Sequence, residues 1–93
     1  KGDGCLICSI EEDCLMIPEA MQRKGVQVIQ CESRWDATAT GALGERGLLQ
    51  VHPRHAEGMA SFGLDFGIEL DRLIWARALY GWHGWEPWKW CGR

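Results

Sequence analysis

Five cysteines, at positions 5, 8, 14, 31 and 91, constrain this 93-residue chain more than any other feature. A chain of that length makes one domain with a modest core, so covalent staples matter more than in a larger protein. So many cysteines in so short a chain point to an oxidising compartment, with a thiol or metal role open for some of them. A bridge between Cys31 and Cys91 would tie the C-terminal tail to the main helix. Closing so long a loop restricts the unfolded chain, for about 3 to 4 kcal/mol. Cys5, Cys8 and Cys14 remain. C-x2-C followed by a third cysteine is compatible with the start of a zinc site, but no fourth ligand is evident nearby. A structural disulfide or a redundant thiol is the better reading, and no metal is expected.

Residues 1–12 show neither a helical nor a strand period, and residues 1–14 read as an N-terminal arm before one domain over 15–93. Pro18 suits the first turn of a helix and Glu19 its positive end, with Ile17, Met21, Val28 and Ile29 compatible with a buried face. That helix should end near Arg34, bent or broken at Gly25. Residues 36–47, with Gly41, Gly44 and Gly47, read as an irregular turn or short hairpin. A short apolar run, Leu48-Leu49-Gln50-Val51, follows. A second helix should open at Pro53 and end near Gly63, with Met59 and Phe62 facing inward. The spacing of Leu70, Leu73, Ile74, Ala78 and Tyr80 predicts a third helix over roughly 68–80, stopping at Gly81 or Gly84. The tail WHGWEPWKWC holds four of the six tryptophans. Four rings exceed what a short tail needs for packing, so some should face outward.

Ten basic against thirteen acidic residues give no overall basic field, which argues against a nucleic-acid partner. Arg46, His52, Arg54 and His55 form a local exception, which reads as a solvated loop with an anion site as the alternative. No apolar run approaches the length of a membrane span, and no signal peptide is visible.

The candidate for chemistry is Glu32. It lies four residues after Val28, on the same face of a helix, and an acid beside aliphatic neighbours has its pKa pushed up by lost solvation. A general acid working near neutral pH needs that setting.

The run CESRWDATATGALGERGLLQVHP resembles the signature of lysozyme-like lytic transglycosylases: Glu-Ser at a helix end, a polar glycine-containing turn, then Gly-Leu-hydrophobic-Gln and a proline. The matching positions are Glu32, Ser33, Gly47, Leu48, Leu49, Gln50 and Pro53. GWHGWEPWKWC is similar to the Gly-Trp-x-Pro-Trp ending of small phage and actinobacterial members, at Gly84, Trp85, Pro87 and Trp88. A cysteine directly before the glutamate, paired with one near the C-terminus, is similar to resuscitation-promoting factors and supports Cys31 with Cys91. The resemblance covers roughly residues 17–91. It implies a mainly α (α+β), lysozyme-like fold with a small β-hairpin or loop beside the catalytic helix. It also implies cleavage of the β-1,4 bond between N-acetylmuramic acid and N-acetylglucosamine in peptidoglycan. Glu32 would be the catalytic acid, with Gln50 lining the cleft and Ser33 supporting the glutamate. Many soluble members carry an Ala-Tyr-Asn-like motif on a later helix; the corresponding region here reads ARALYGW, where Tyr80 takes the place of that tyrosine, and the chain has no asparagine.

Sugar rings combine apolar faces with hydroxyl rims, so Ser33, Gln50 and the rings of Tyr80, Trp82 and Trp88 are the candidate substrate contacts. A hydrolase needs a second carboxylate beside the proton donor. Asp36 and Glu45 are the candidates, the first in an exposed-looking turn and the second in a glycine turn. A lytic transglycosylase needs only one glutamate, used as acid and then as base toward the sugar's own C6 hydroxyl. The favoured expectation is therefore a transglycosylase leaving 1,6-anhydromuramoyl ends, with a muramidase of the same fold and a non-catalytic glycan-binding module as alternatives. The partner is the glycan strand, no cofactor is implied, and the protein is expected to act as a monomer at the cell wall, whether extracellular, periplasmic or phage-associated.

Overall fold

A computed structural model describes the backbone of residues 3–5 and 16–92 and the side chains of residues 24–92. Cys8 and Cys14, and the inward faces expected for Ile17 and Met21, lie outside the described residues. Among the described residues the protein is mainly helical. A short antiparallel pair, β1 (Asp3–Cys5) and β2 (Met16–Pro18), precedes α1 (Glu19–Ser33), a 3-10 turn (Pro53–His55), α2 (Ala56–Ser61) and α3 (Glu69–His83). Asp3 stands opposite Pro18 and Cys5 opposite Met16, so part of the expected arm is a strand laid along the approach to α1.

Pro18 closes β2 instead of sitting inside the first helical turn, a position that suits a residue with no N–H and a fixed φ. α1 then runs through Gly25 without a break, correcting the expected interruption. One glycine costs a helix about 1 kcal/mol relative to alanine, and Val28 and Ile29, both fully buried, outweigh that by burying aliphatic surface. The helix ends where Arg34 and Trp35 take left-handed backbone conformations, φ 54° and 65°. The Arg34 N–H folds back to the carbonyls of Ile29 and Gln30 at 3.2 and 3.1 Å. Neither residue is glycine, so the turn is strained and persists only because its surroundings impose it.

Residues 36–52 form no strand. Two isolated bridges, Thr40 with Arg46 and Arg46 with Val51, draw the chain into two successive tight turns, and Gly44 and Gly47 supply φ of 91° and 89° within them. The second turn delivers Leu48, Leu49 and Val51 into the core.

α2 ends at Ser61 and Gly63 turns the chain at φ 79°. Met59 is buried as expected, but Phe62 is 67 % exposed: the helix stops before it, so the three-residue spacing from Met59 no longer places it inward. α3 runs past Gly81 to His83 and stops at Gly84, φ 65°. Its buried face is Arg72, Leu73, Trp75, Ala76 and Leu79, whereas Ile74 is exposed. The bulk of Trp75 and the buried Arg72 rotate the inward stripe away from the purely aliphatic pattern. The core thus joins Val28 and Ile29 of α1, the loop leucines, Met59, the α3 face and Trp88 of the tail. Cys31 and Cys91 form a disulfide with 5.6 Å between their Cα atoms.

Candidate active site

Glu32 is the penultimate residue of α1. Because Val28 and Ile29 fix which face of the helix turns inward, Glu32 comes to the edge of the core, half-buried and on the wall of a cavity of about 460 Å³. Burial raises its pKa above the ordinary carboxyl value, and the nearby charge of Glu45 raises it further. The double turn lines the same cavity through Gly41, Glu45 and Gln50, and the tail through Trp88, Lys89 and Trp90.

Each wall is held by identifiable contacts. Gln50 has a left-handed backbone, φ 50°, and its Nε2 donates to the carbonyls of Ala39 (3.2 Å) and Gly47 (2.8 Å). Both amide protons are used within the loop, and Oε1 is the atom left for the cavity. Glu45 is anchored too, its Oε1 accepting the N–H of Leu43 at 3.0 Å. Gly41 lies between them: a Cβ there would fall 2.7 Å from Gln50 Oε1 and collide with Glu45 Oε1. On the tail side, the indole N–H of buried Trp88 donates to the Leu49 carbonyl at 2.9 Å. Trp90 stands 81 % exposed at the rim.

The structure brings Glu32, Gln50, Trp88 and Glu45 to one cavity and leaves four other candidates away from it. Ser33 is buried, its hydroxyl donating to the carbonyls of Ile29 (3.2 Å) and Leu48 (2.9 Å), so it is a strut between α1 and the loop and does not line the cavity. Asp36 is fully exposed and accepts from the backbone and hydroxyl of Thr38 at 2.9 and 2.6 Å. Those bonds, the hydroxyl's first, lower its pKa. It closes a local turn and does not line the cavity. Tyr80 packs at a tilt against Trp85, which packs edge-on against Trp88, and the tyrosine does not line the cavity. Trp82 packs edge-on against Trp75, ring centroids 5.6 Å apart, because the last turn of α3 directs it toward α2.

Sequence reasoning missed the clamp that sets the loop in place. Glu69 Oε2 accepts the Leu48 N–H at 3.2 Å, while Oε1 accepts from Arg72 Nε and Nη2 at 3.1 and 2.6 Å. Arg72 is buried and also donates to the Phe66 carbonyl at 2.6 Å. Gly47 makes the fit, since a Cβ on it would strike Glu69 Oε1 and lie 2.8 Å from Arg72 Nε. Burial raises the Glu69 pKa against the opposing pull of Arg72 and Leu48. The visible signal was Glu69 and Arg72 three residues apart at a helix start, but nothing local links them to Gly47.

His52, Arg54 and His55 also line the cavity; Arg46, the fourth member of that basic cluster, does not. His52 Nδ1 caps the 3-10 turn by accepting the Arg54 N–H at 2.9 Å. Burial first, then the charges of Arg54 and His52, lower the His55 pKa. Among the described residues no three His, Cys, Asp or Glu side chains converge to hold a metal ion. Comparison with known protein families, with curated proteins and with solved structures finds no match to this chain.

Proposed function

We propose that this chain has a lysozyme-like fold and cleaves peptidoglycan between N-acetylmuramic acid and N-acetylglucosamine as a lytic transglycosylase, with Glu32 as its acid and base. The observation that carries the reading is a half-buried carboxyl group at the end of α1, on the wall of an open cavity beside an amide oxygen and two tryptophans. Such a cavity lies within the size range of sites for small organic ligands.

The chemistry follows from the charges. With its pKa raised by burial and by Glu45, Glu32 holds a proton to higher pH than an ordinary glutamate and gives it to the glycosidic oxygen as the bond to C1 breaks. The oxocarbenium ion that develops is positive, and the anchored carboxyl of Glu45 lies in the same cavity to stabilise it. Glu32, now ionised, takes the proton from the C6 hydroxyl, whose oxygen closes on C1. The product is a 1,6-anhydro sugar, and Glu32 ends protonated as it began. The bound C6 hydroxyl has the high effective concentration of an internal nucleophile.

The place of Glu45 favours a second reading. A second carboxylate in the same cavity as the acid is what a hydrolase uses to activate water, so a muramidase is the alternative. Muropeptides released in labelled water decide: anhydro ends without label support the transglycosylase, and reducing ends carrying the label support the muramidase. No release of either kind leaves a non-catalytic glycan-binding module. The Cys31–Cys91 disulfide supports action at the cell wall outside the reducing cytoplasm. Among the described residues no helix is long and apolar enough to cross a membrane.

A further inference from the structure

Two polar side chains that line the Glu32 cavity, Gln50 and His52, have their hydrogen-bonding polarity fixed by the backbone. His52 caps the 3-10 turn, its Nδ1 accepting the Arg54 N–H at 2.9 Å. A backbone N–H can only donate, so Nδ1 carries no proton and the proton of the neutral ring sits on Nε2. Turning the ring over would forfeit the cap. The polar atom that His52 offers to the cavity is therefore a donor. Gln50 is fixed in the opposite sense: both its amide protons are engaged by the carbonyls of Ala39 and Gly47, and the atom it offers is the acceptor Oε1. Val51, between them in the chain, is buried in the core.

We propose that Gln50 and His52 together read a secondary amide on the ligand of this cavity, its N–H donating to Gln50 Oε1 and its carbonyl accepting from His52 Nε2–H. His52 is then a specificity-determining residue. The inference rests on the reading of the cavity as a glycan site, where the amide is the acetamido substituent of a sugar ring. A hydroxyl carries its donor and its acceptor on one oxygen, whereas a secondary amide separates them onto two atoms. That separation suits side chains two residues apart, at most about 7 Å along the chain. An amide carbonyl withdrawn from water without a donor is penalised, while a hydroxyl can turn to another partner. The charged groups of the same cavity do not replace this pair. Ionised carboxylates at Glu32 and Glu45 only accept and the Arg54 and Lys89 cations only donate, so each meets a hydroxyl as readily as an amide.

The two contacts of His52 can be separated, because asparagine places an oxygen where Nδ1 stands and glutamine places an N–H donor where Nε2 stands. His52→Asn keeps the cap and loses the donor; His52→Gln keeps the donor and loses the cap. Each change is made in Glu32→Gln protein, which leaves the sugar intact. Two probes are titrated calorimetrically at pH 8: a β-1,4-linked tetramer of N-acetylglucosamine and the same tetramer of glucose, whose hydroxyl replaces the acetamido group. With His52 in place the acetylated tetramer should bind about tenfold tighter, the size of one hydrogen bond. His52→Asn should abolish most of that preference at unchanged melting temperature, and His52→Gln should keep the preference while melting lower. Circular dichroism checks the fold of both; should either fail to fold, the other still decides. A preference that survives in His52→Asn, or is lost in folded His52→Gln, would overturn the role of His52. Equal affinity of the two tetramers for the site with His52 intact would overturn the amide assignment and leave the glycan reading standing. Binding of neither tetramer would sink both.

Discussion

The two segments that line the cavity of Glu32 are built on opposite principles. The loop wall, residues 36–52, is polar and strained: Gln50 is left-handed, two glycines supply positive φ, and the buried Glu69–Arg72 pair holds the backbone from behind. The tail wall, residues 84–92, is aromatic and stapled: Trp85 packs on Trp88, Trp88 bonds to Leu49, and Cys91 is joined to Cys31. Directional bonds can fix Gln50 and Glu45 to within fractions of an ångström, but they fail together when one partner is lost. Packing and a covalent bond tolerate more, because neither depends on satisfying every polar atom. The loop wall should therefore be brittle and the tail wall forgiving.

Arg72→Met is the severest test of that contrast. It leaves Glu69 with a buried charge and only the Leu48 N–H, a loss of about 3 to 5 kcal/mol for a broken buried pair. Chemical denaturation should show the drop, and restoring the balance with Glu69→Gln in the same chain should recover part of it. Next comes Cys31→Ser with Cys91→Ser. Freeing a 60-residue separation should cost about 3 to 4 kcal/mol, while the indole bond of Trp88 keeps the tail wall in place and cell-wall cleavage persists at low temperature. Activity abolished there, with the fold intact, would show that the tail is no more forgiving than the loop.

Smaller effects sharpen the picture. Ser33→Ala removes the strut between α1 and Leu48, leaving a buried carbonyl unmatched for about 1 to 3 kcal/mol. Gly41→Ala should barely change stability, because the atoms it strikes are the ends of the Glu45 and Gln50 side chains and both can swing toward solvent. The rate should fall about tenfold on displacement of either group, as a mispositioned catalytic contact predicts. A Gly41→Ala enzyme as fast as the native one would remove Glu45 and Gln50 from the mechanism.

What was legible in the sequence was local. The helix that carries Glu32 near its end, the turn with its glycines and the helix closed by Gly84 are each written within a few residues of themselves, and the Cys31–Cys91 bridge is the pairing that the resemblance to resuscitation-promoting factors supports. What was not legible depended on distant partners. Ser33 read as a candidate substrate contact until Leu48, fifteen residues away, gave its hydroxyl a buried acceptor. Trp82 and Trp90 are alike in sequence setting, yet one leans on Trp75 and the other stands at the cavity rim. The Glu69 clamp spans 21 residues to Leu48, beyond any periodicity.

The central claim, that Glu32 is the proton donor, is tested most directly by comparing native and Glu32→Gln protein across pH for both activity and stability. A raised carboxyl pKa means that the folded state holds its proton while the unfolded chain has released it. The group's contribution to stability is therefore fully present below the unfolded pKa and is lost as pH rises through the folded one. The account predicts that native activity falls as pH rises through that value, and that Glu32→Gln lowers turnover by at least about 10²-fold to 10⁴-fold. The same variant should melt higher than native protein at pH 8, since it removes an ionised group half-withdrawn from water beside Glu45. A Glu32→Gln protein that still releases muropeptides at near-native rate, or that melts lower at pH 8, would contradict it.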